Sequence, residues 1–101
     1  MKAVQIIKKL KEYSCEYEEN LKRNLIDINK YVKDEYSYGF VINKINDEYE
    51  VYMFVVSDKE DVIASSLLYR NFKNLESAKE YFKVLINEYN DLSLDELYER
   101  F

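Results

Sequence analysis

Residues 36–57 alternate in character with a period of two, and no other feature of this chain constrains its fold so tightly. Tyr36, Tyr38, Phe40 and Ile42 take turns with Ser37, Gly39, Val41 and Asn43, so the two sets point to opposite faces of an extended strand. Asn46, Asp47 and Glu48 interrupt the pattern. It resumes from Glu50 to Ser57, where Val51, Met53 and Val55 oppose Tyr52, Phe54 and Val56. A strand apolar on both faces suits the middle of a sheet. A charged turn, Asp58 to Asp61, then leads to Val62–Tyr69, whose β-branched start predicts a third strand. We expect strands over 36–45, 49–57 and 62–70, joined as an antiparallel meander with a hairpin turn at Asn46 to Glu48.

Nothing between Lys2 and Asp34 breaks a helix. Val4, Ile7, Leu10, Ser14, Tyr17, Leu21, Leu25, Ile28 and Val32 recur there at steps of three or four, which predicts one long helix over 2–34. At 1.5 Å per residue it would be about 50 Å long, well beyond the width of a small domain. Such a helix either bends near residues 14–20 or overhangs the body and pairs with a second molecule. Cys15 and Ile26 lie off its stripe, so they are expected to face away from the sheet. Downstream, Asn74 is a good N-cap, Glu76 suits the first turn, and Leu75, Ala78, Phe82, Leu85, Ile86 and Tyr89 form the face of a helix over 75–89. Ser93 and Glu96 have capping-box spacing, and Leu92 and Leu97 stand where a hydrophobic staple would put them, predicting a short helix over 94–100. The expected class is α+β: a long helix, three strands, a helix and a short final helix in one domain spanning 1–101.

The chain has 101 residues, 48% hydrophobic and 35% charged, enough for one core under a solvated surface. It has no apolar run near the roughly 18 residues of a membrane span and no signal-peptide pattern at its start, so a cytoplasmic location is expected. Lysine, isoleucine, asparagine and tyrosine are abundant and proline is absent, a bias that AT-rich coding produces. One glycine excludes the phosphate loop and the dinucleotide fingerprint, which each need several. With no histidine and a single cysteine, histidine-based triads and zinc tetrads are excluded too. Glu16, Glu18 and Glu19 would raise the pKa of a Cys15 nucleophile. Carboxylates such as Glu16, Glu19, Asp91, Asp95 and Glu96 match no metal-binding pattern and read as a solvated face. We expect no catalytic residue, no cofactor and no metal.

The net charge of −5 disfavours direct contact with nucleic acid or an anionic membrane and favours a basic protein partner. Residues 1–35 hold eight basic and seven acidic side chains, 36–73 four and six, and 74–101 three and seven. In a meander with a returning helix, the start of the first strand, the end of the second and the end of helix 75–89 share one end. Asp34, Glu35, Asp58, Glu60, Asp61, Glu88 and Asp91 would then converge against Lys33 and Lys59, forming an acidic pole for partner binding. Eleven tyrosines, with Tyr81, Tyr89 and Tyr98 on the acidic side, offer contact area at low entropic cost.

In size, acidity and order of elements the chain resembles small phage-encoded anti-CRISPR proteins, some of which imitate DNA to block Cas9. Immunity proteins and antitoxins look similar on the same grounds. The resemblance implies an inhibitor that occupies a basic groove of a nucleic-acid-acting enzyme, such as the nuclease Cas9; it carries no motif from which individual residues follow. The alternative expectation is a structural or regulatory protein of a phage or mobile element that dimerises through the long first helix.

Overall fold

The computed structural model describes residues 3–58 and 62–101. Helix α1 is Ala3–Leu10, tightened by a 3-10 turn at Lys11–Tyr13; strands follow at β1 Arg23–Val32, β2 Tyr36–Ile45, β3 Glu48–Ser57 and β4 Ile63–Phe72; the chain ends with α2 Leu75–Glu88 and α3 Leu94–Glu99. The strands form one antiparallel sheet in the order β1-β2-β3-β4.

Four strands replace the expected three, and the long helix over 2–34 does not form. Its second half is β1, and 14–22 runs between α1 and β1 without helix or strand. The register explains the misleading period. Leu25 pairs with Asn43 and Asp27 with Ile42, so Ile26 is an extra residue at a β-bulge. The bulge turns one strand step, Leu25 to Ile28, into a step of three, and Ile28 to Val32 is two ordinary strand steps. Together they imitate a helical stripe. Local preference points to strand instead: Ile26, Ile28 and Val32 are β-branched, and Asn24, Asp27 and Asn29 are poor helix formers. Cys15 and Ile26 are exposed, but on the connecting segment and the bulge rather than on any helix face. With α1 only eight residues long, dimerisation through a long first helix loses its element.

All three helices cover one face of the sheet. Tyr38, Phe40, Ile42, Val51, Met53, Val55, Ala64 and Leu67 point into that side and meet Ile6, Ile7, Leu10, Ala78, Phe82, Leu85, Leu94 and Leu97. Each large side chain buried there contributes about 1.5–3 kcal/mol. Helix α2 starts where Asn74 accepts a hydrogen bond from the Ser77 amide at 2.8 Å, and α3 where Ser93 and Glu96 complete a capping box. The Tyr38 hydroxyl, near the start of β2, donates to the Tyr89 carbonyl and accepts from the Leu92 amide, both at 2.9 Å. It pins the α2–α3 turn onto β2.

Among the described residues no helix covers the other face. It carries Leu25, Ile28 and Val32 from β1, Val41 from β2, Tyr52, Phe54 and Val56 from β3 and Ile63 from β4. Phe54 lies over Gly39: a β-carbon at Gly39 would come within 3.0 Å of Phe54 Cζ and 3.1 Å of Lys30 Cα, and would run into the Asn29 carbonyl oxygen. Glycine lets β1 and β2 approach closely and gives the ring a seat. Gly39→Ala is therefore expected to destabilise the fold by about 2 kcal/mol, the scale of overpacking a filled site. A urea-unfolding midpoint unchanged by this substitution would show that the seat is looser than described.

Candidate functional site

The acidic end is built by two hairpin turns and the α2–α3 turn. Residues 33–35 link β1 to β2, where the Lys33 amide donates to the Tyr36 carbonyl at 2.9 Å. The neighbouring β3–β4 connection begins at Asp58, whose amide donates to the Glu35 carbonyl at 3.2 Å and whose carboxylate accepts from Ser37 Oγ at 3.3 Å. Asp91 reaches the same corner: Lys33 Nζ donates to Asp91 Oδ1, and Tyr36 OH donates to the Leu92 carbonyl at 3.3 Å. Glu88 is the last residue of α2, and its carbonyl accepts from Arg100 Nη1 at 2.6 Å. Asp34, Glu35, Asp58, Glu88 and Asp91 thus gather at one end, while Glu60 and Asp61 lie outside the described residues.

Charge there is unevenly distributed. The hydrogen bond between Lys33 and Asp91 holds the ammonium above, and the carboxyl below, its ordinary pKa, so each stays ionised and the pair is internally neutral. Asp34, Glu35 and Asp58 are exposed, and among the described residues they make no ion pair. They supply the net negative charge of the corner.

A second polar cluster, absent from the sequence expectations, sits on the uncovered sheet face. Glu50 is fully buried. Its Oε1 accepts from Arg23 Nε at 2.5 Å and Asn43 Nδ2 at 3.3 Å, and its Oε2 from Tyr69 OH at 2.9 Å. Arg23 also donates from Nη1 to the Glu18 and Leu21 carbonyls at 2.6 and 3.2 Å, with the Tyr17 ring 3.9 Å from its guanidinium carbon. Burial pulls the Arg23 pKa down, but the hydrogen bond and charge of Glu50 more than offset this and hold it above the ordinary value. Tyr52 and Tyr69 are pushed up to about 12, first by burial and then by a second influence, the neighbouring Tyr17 for Tyr52 and the Glu50 hydrogen bond for Tyr69. The carboxylate accepts from three donors and is shut off from solvent, and so clasps the segment 14–22 to the sheet. One sequence signal was available: Glu50 shares a strand face with Tyr52 and Phe54, where a lone charge needs a partner. Nothing in the spacing singles out Arg23, 27 residues away.

Among the described residues no group of three or more potential ligands is placed to hold a metal ion. Nor, among the described residues, is any helix long and apolar enough to cross a membrane. Comparison with protein-family models, curated proteins and solved structures finds no match.

Arg23→Met would leave Glu50 buried without its cation, and a loss of about 3 kcal/mol is expected in urea unfolding at neutral pH. Adding Glu50→Gln should restore part of it; a double variant no more stable than the single would argue against the ion pair. The tyrosines give a separate pH signature. Between about pH 10 and about 12 the folded chain keeps phenolic protons that the unfolded chain has released, so stability is flat below this window and falls through it. Tyr69→Phe should shallow that fall in unfolding midpoints taken across the window, and an unchanged slope would contradict the assignment.

Proposed function

We propose that this protein is a non-catalytic inhibitor that seats its acidic end in the basic groove of a nucleic-acid-acting enzyme, of the kind represented by the CRISPR nuclease Cas9 or by toxin nucleases. The observation that supports this is the meeting of Asp34, Glu35 and Asp58 at two hairpin turns held together by the Asp58-to-Glu35 backbone bond. Like charges gathered on adjacent turns repel, and with Lys33 already paired to Asp91 a cationic groove relieves that cost. Fixed on strand ends, the carboxylates are presented without the ordering cost of a flexible acidic tail. The corner carries negative charge and hydrogen-bond acceptors, the features that phosphate oxygens present to the same groove. The saturated Glu50 cluster adds no reaction chemistry.

The test is cleavage of target DNA by guide-loaded Cas9, and of duplex DNA by a toxin nuclease, with and without the protein. Inhibition of at least one enzyme is expected at about 50 mM salt and should weaken more than tenfold at about 500 mM, because the attraction is screened. The variant Asp34→Asn/Asp58→Asn/Glu88→Gln should keep its far-ultraviolet circular dichroism and lose inhibition. Equal inhibition by variant and parent at low salt would defeat the acidic-end reading, as would no inhibition of either enzyme.

A further inference from the structure

We propose that two copies of this chain pair edge to edge through β1, extending the two four-stranded sheets into one antiparallel sheet across a two-fold axis at Asn29. This goes beyond the proposed inhibition and does not depend on it. The starting observation is that β1 holds the two most exposed large apolar side chains among the described residues, Val32 and Leu25, with Ile28 between them. Leu25, Ile28 and Val32 are 61%, 47% and 72% exposed, all on β1 and all on the face without helices. β1 is also a terminal strand of the sheet, with half of its backbone groups aimed away from β2.

The outward-facing groups can be identified. The Asn29 carbonyl crowds Gly39 on β2, and the Lys33 amide bonds to Tyr36 across the turn, so the odd-numbered residues 29 to 33 spend their backbone groups on β2. In an antiparallel ladder the alternate residues then turn theirs outward: Ile28, Lys30 and Val32. The opposite edge is closed. At β4 the Cys15 amide donates to the Ser66 carbonyl at 3.1 Å, and the strand is interrupted twice, with Ser66 at φ 56° and Leu68 at φ 54°. Pairing through β1 therefore stops at two copies instead of growing into a filament.

Self-complementarity selects the register. With Asn29 on the two-fold axis and Ile26 left out as the bulge, Ile28 pairs with Lys30, Asp27 with Tyr31 and Leu25 with Val32, each pair occurring twice. Beyond them Asn24 meets Lys33, Arg23 being held by Glu50, and Lys22 approaches the turn that carries Asp34 and Glu35. The most exposed apolar residues cover each other, and the basic start of one β1 meets the acidic end of the other. Centring on Ile28 would instead oppose Lys22 to Lys33, and centring on Lys30 would oppose that lysine to itself. Cross-strand pairs of opposite charge and of apolar side chains favour the first register, and like charges disfavour the others.

Sedimentation and light scattering of the full chain at about 100 µM, a concentration at which a micromolar dimer is nearly complete, should give twice the chain mass. Leu25→Lys/Val32→Lys, at two positions exposed in the single copy, should give a folded monomer. Lys22→Glu alone and Glu35→Lys alone should each weaken the dimer several-fold, and Lys22→Glu/Glu35→Lys together should recover it. Hydrogen exchange should show slow Ile28 and Lys30 amides in the parent and fast ones in the monomeric variant. A parent that stays monomeric, a dimer unaffected by the lysine pair, or a charge-swapped double no tighter than its singles would overturn the proposal.

Discussion

A carboxylate that cannot reach water sets the terms for half of this structure. Glu50 sits near the start of β3, an inner strand, with no exposure, and an ionised group there is tolerable only with a cation and further donors around it. Arg23 must therefore stay at the start of β1, and its other contacts, to the Glu18 and Leu21 carbonyls and the Tyr17 ring, fasten the irregular segment 14–22 across the sheet. That segment joins a helix on one face to a strand whose first residue turns its charge to the other. The ion pair fixes the crossing.

The sheet itself is treated asymmetrically. One face carries the whole hydrophobic core and is roofed by three helices, with the Tyr38 hydroxyl bridging to the α2–α3 turn. The other is shielded by Phe54 over Gly39, by the Glu50 cluster and by Tyr17 against Tyr52. Its edges differ in the same way, β4 being tied to the segment after α1 and β1 open. A one-sided sheet with one open edge has its contact surface defined by elimination, and the exposed apolar residues of β1 lie there.

The strands of 36–57 were legible because their alternation is uninterrupted, and α2 and α3 because Asn74 and the Ser93–Glu96 pair mark their starts with capping chemistry. β1 was not, for a reason specific to bulges: an inserted Ile26 gives Leu25, Ile28 and Val32 the spacing of a helix, and no residue between Lys2 and Asp34 is a breaker that would contradict it. The gathering of Asp34, Glu35 and Asp58 follows from strand reversals alone, which is why a three-stranded reading still brings them together. Adding a fourth strand in front changes what precedes Asp34 but not the end of the sheet on which it lies. The ion pair of Asp91 with Lys33 was beyond reach of the sequence, since it depends on how the α2–α3 turn is laid down. So was the Arg23–Glu50 pair, which needs the register of a strand that the periodicity disguised.

Asp34 and Glu35 belong to both proposed surfaces, and this couples them. In the two-fold pair the turn of each copy that carries Asp34 and Glu35 lies toward the other's Lys22 at the margin of the interface, whereas Asp58 lies beyond β2 on the same corner and Asp91 is held by Lys33. A basic groove that takes up the acidic end competes with Lys22 of the second copy for the same two carboxylates. By linkage, whatever the groove gains from Asp34 and Glu35 it withdraws from the pairing of copies, and the dimer is weakened by the same factor as capture is weakened by dimerisation. The coupling is limited because Leu25, Val32 and the β1 backbone contribute to pairing without touching the acidic end. A chain that pairs through apolar side chains and main-chain bonds, and only steers itself with charge at the rim, can keep both surfaces. One that relied on charge for pairing could not.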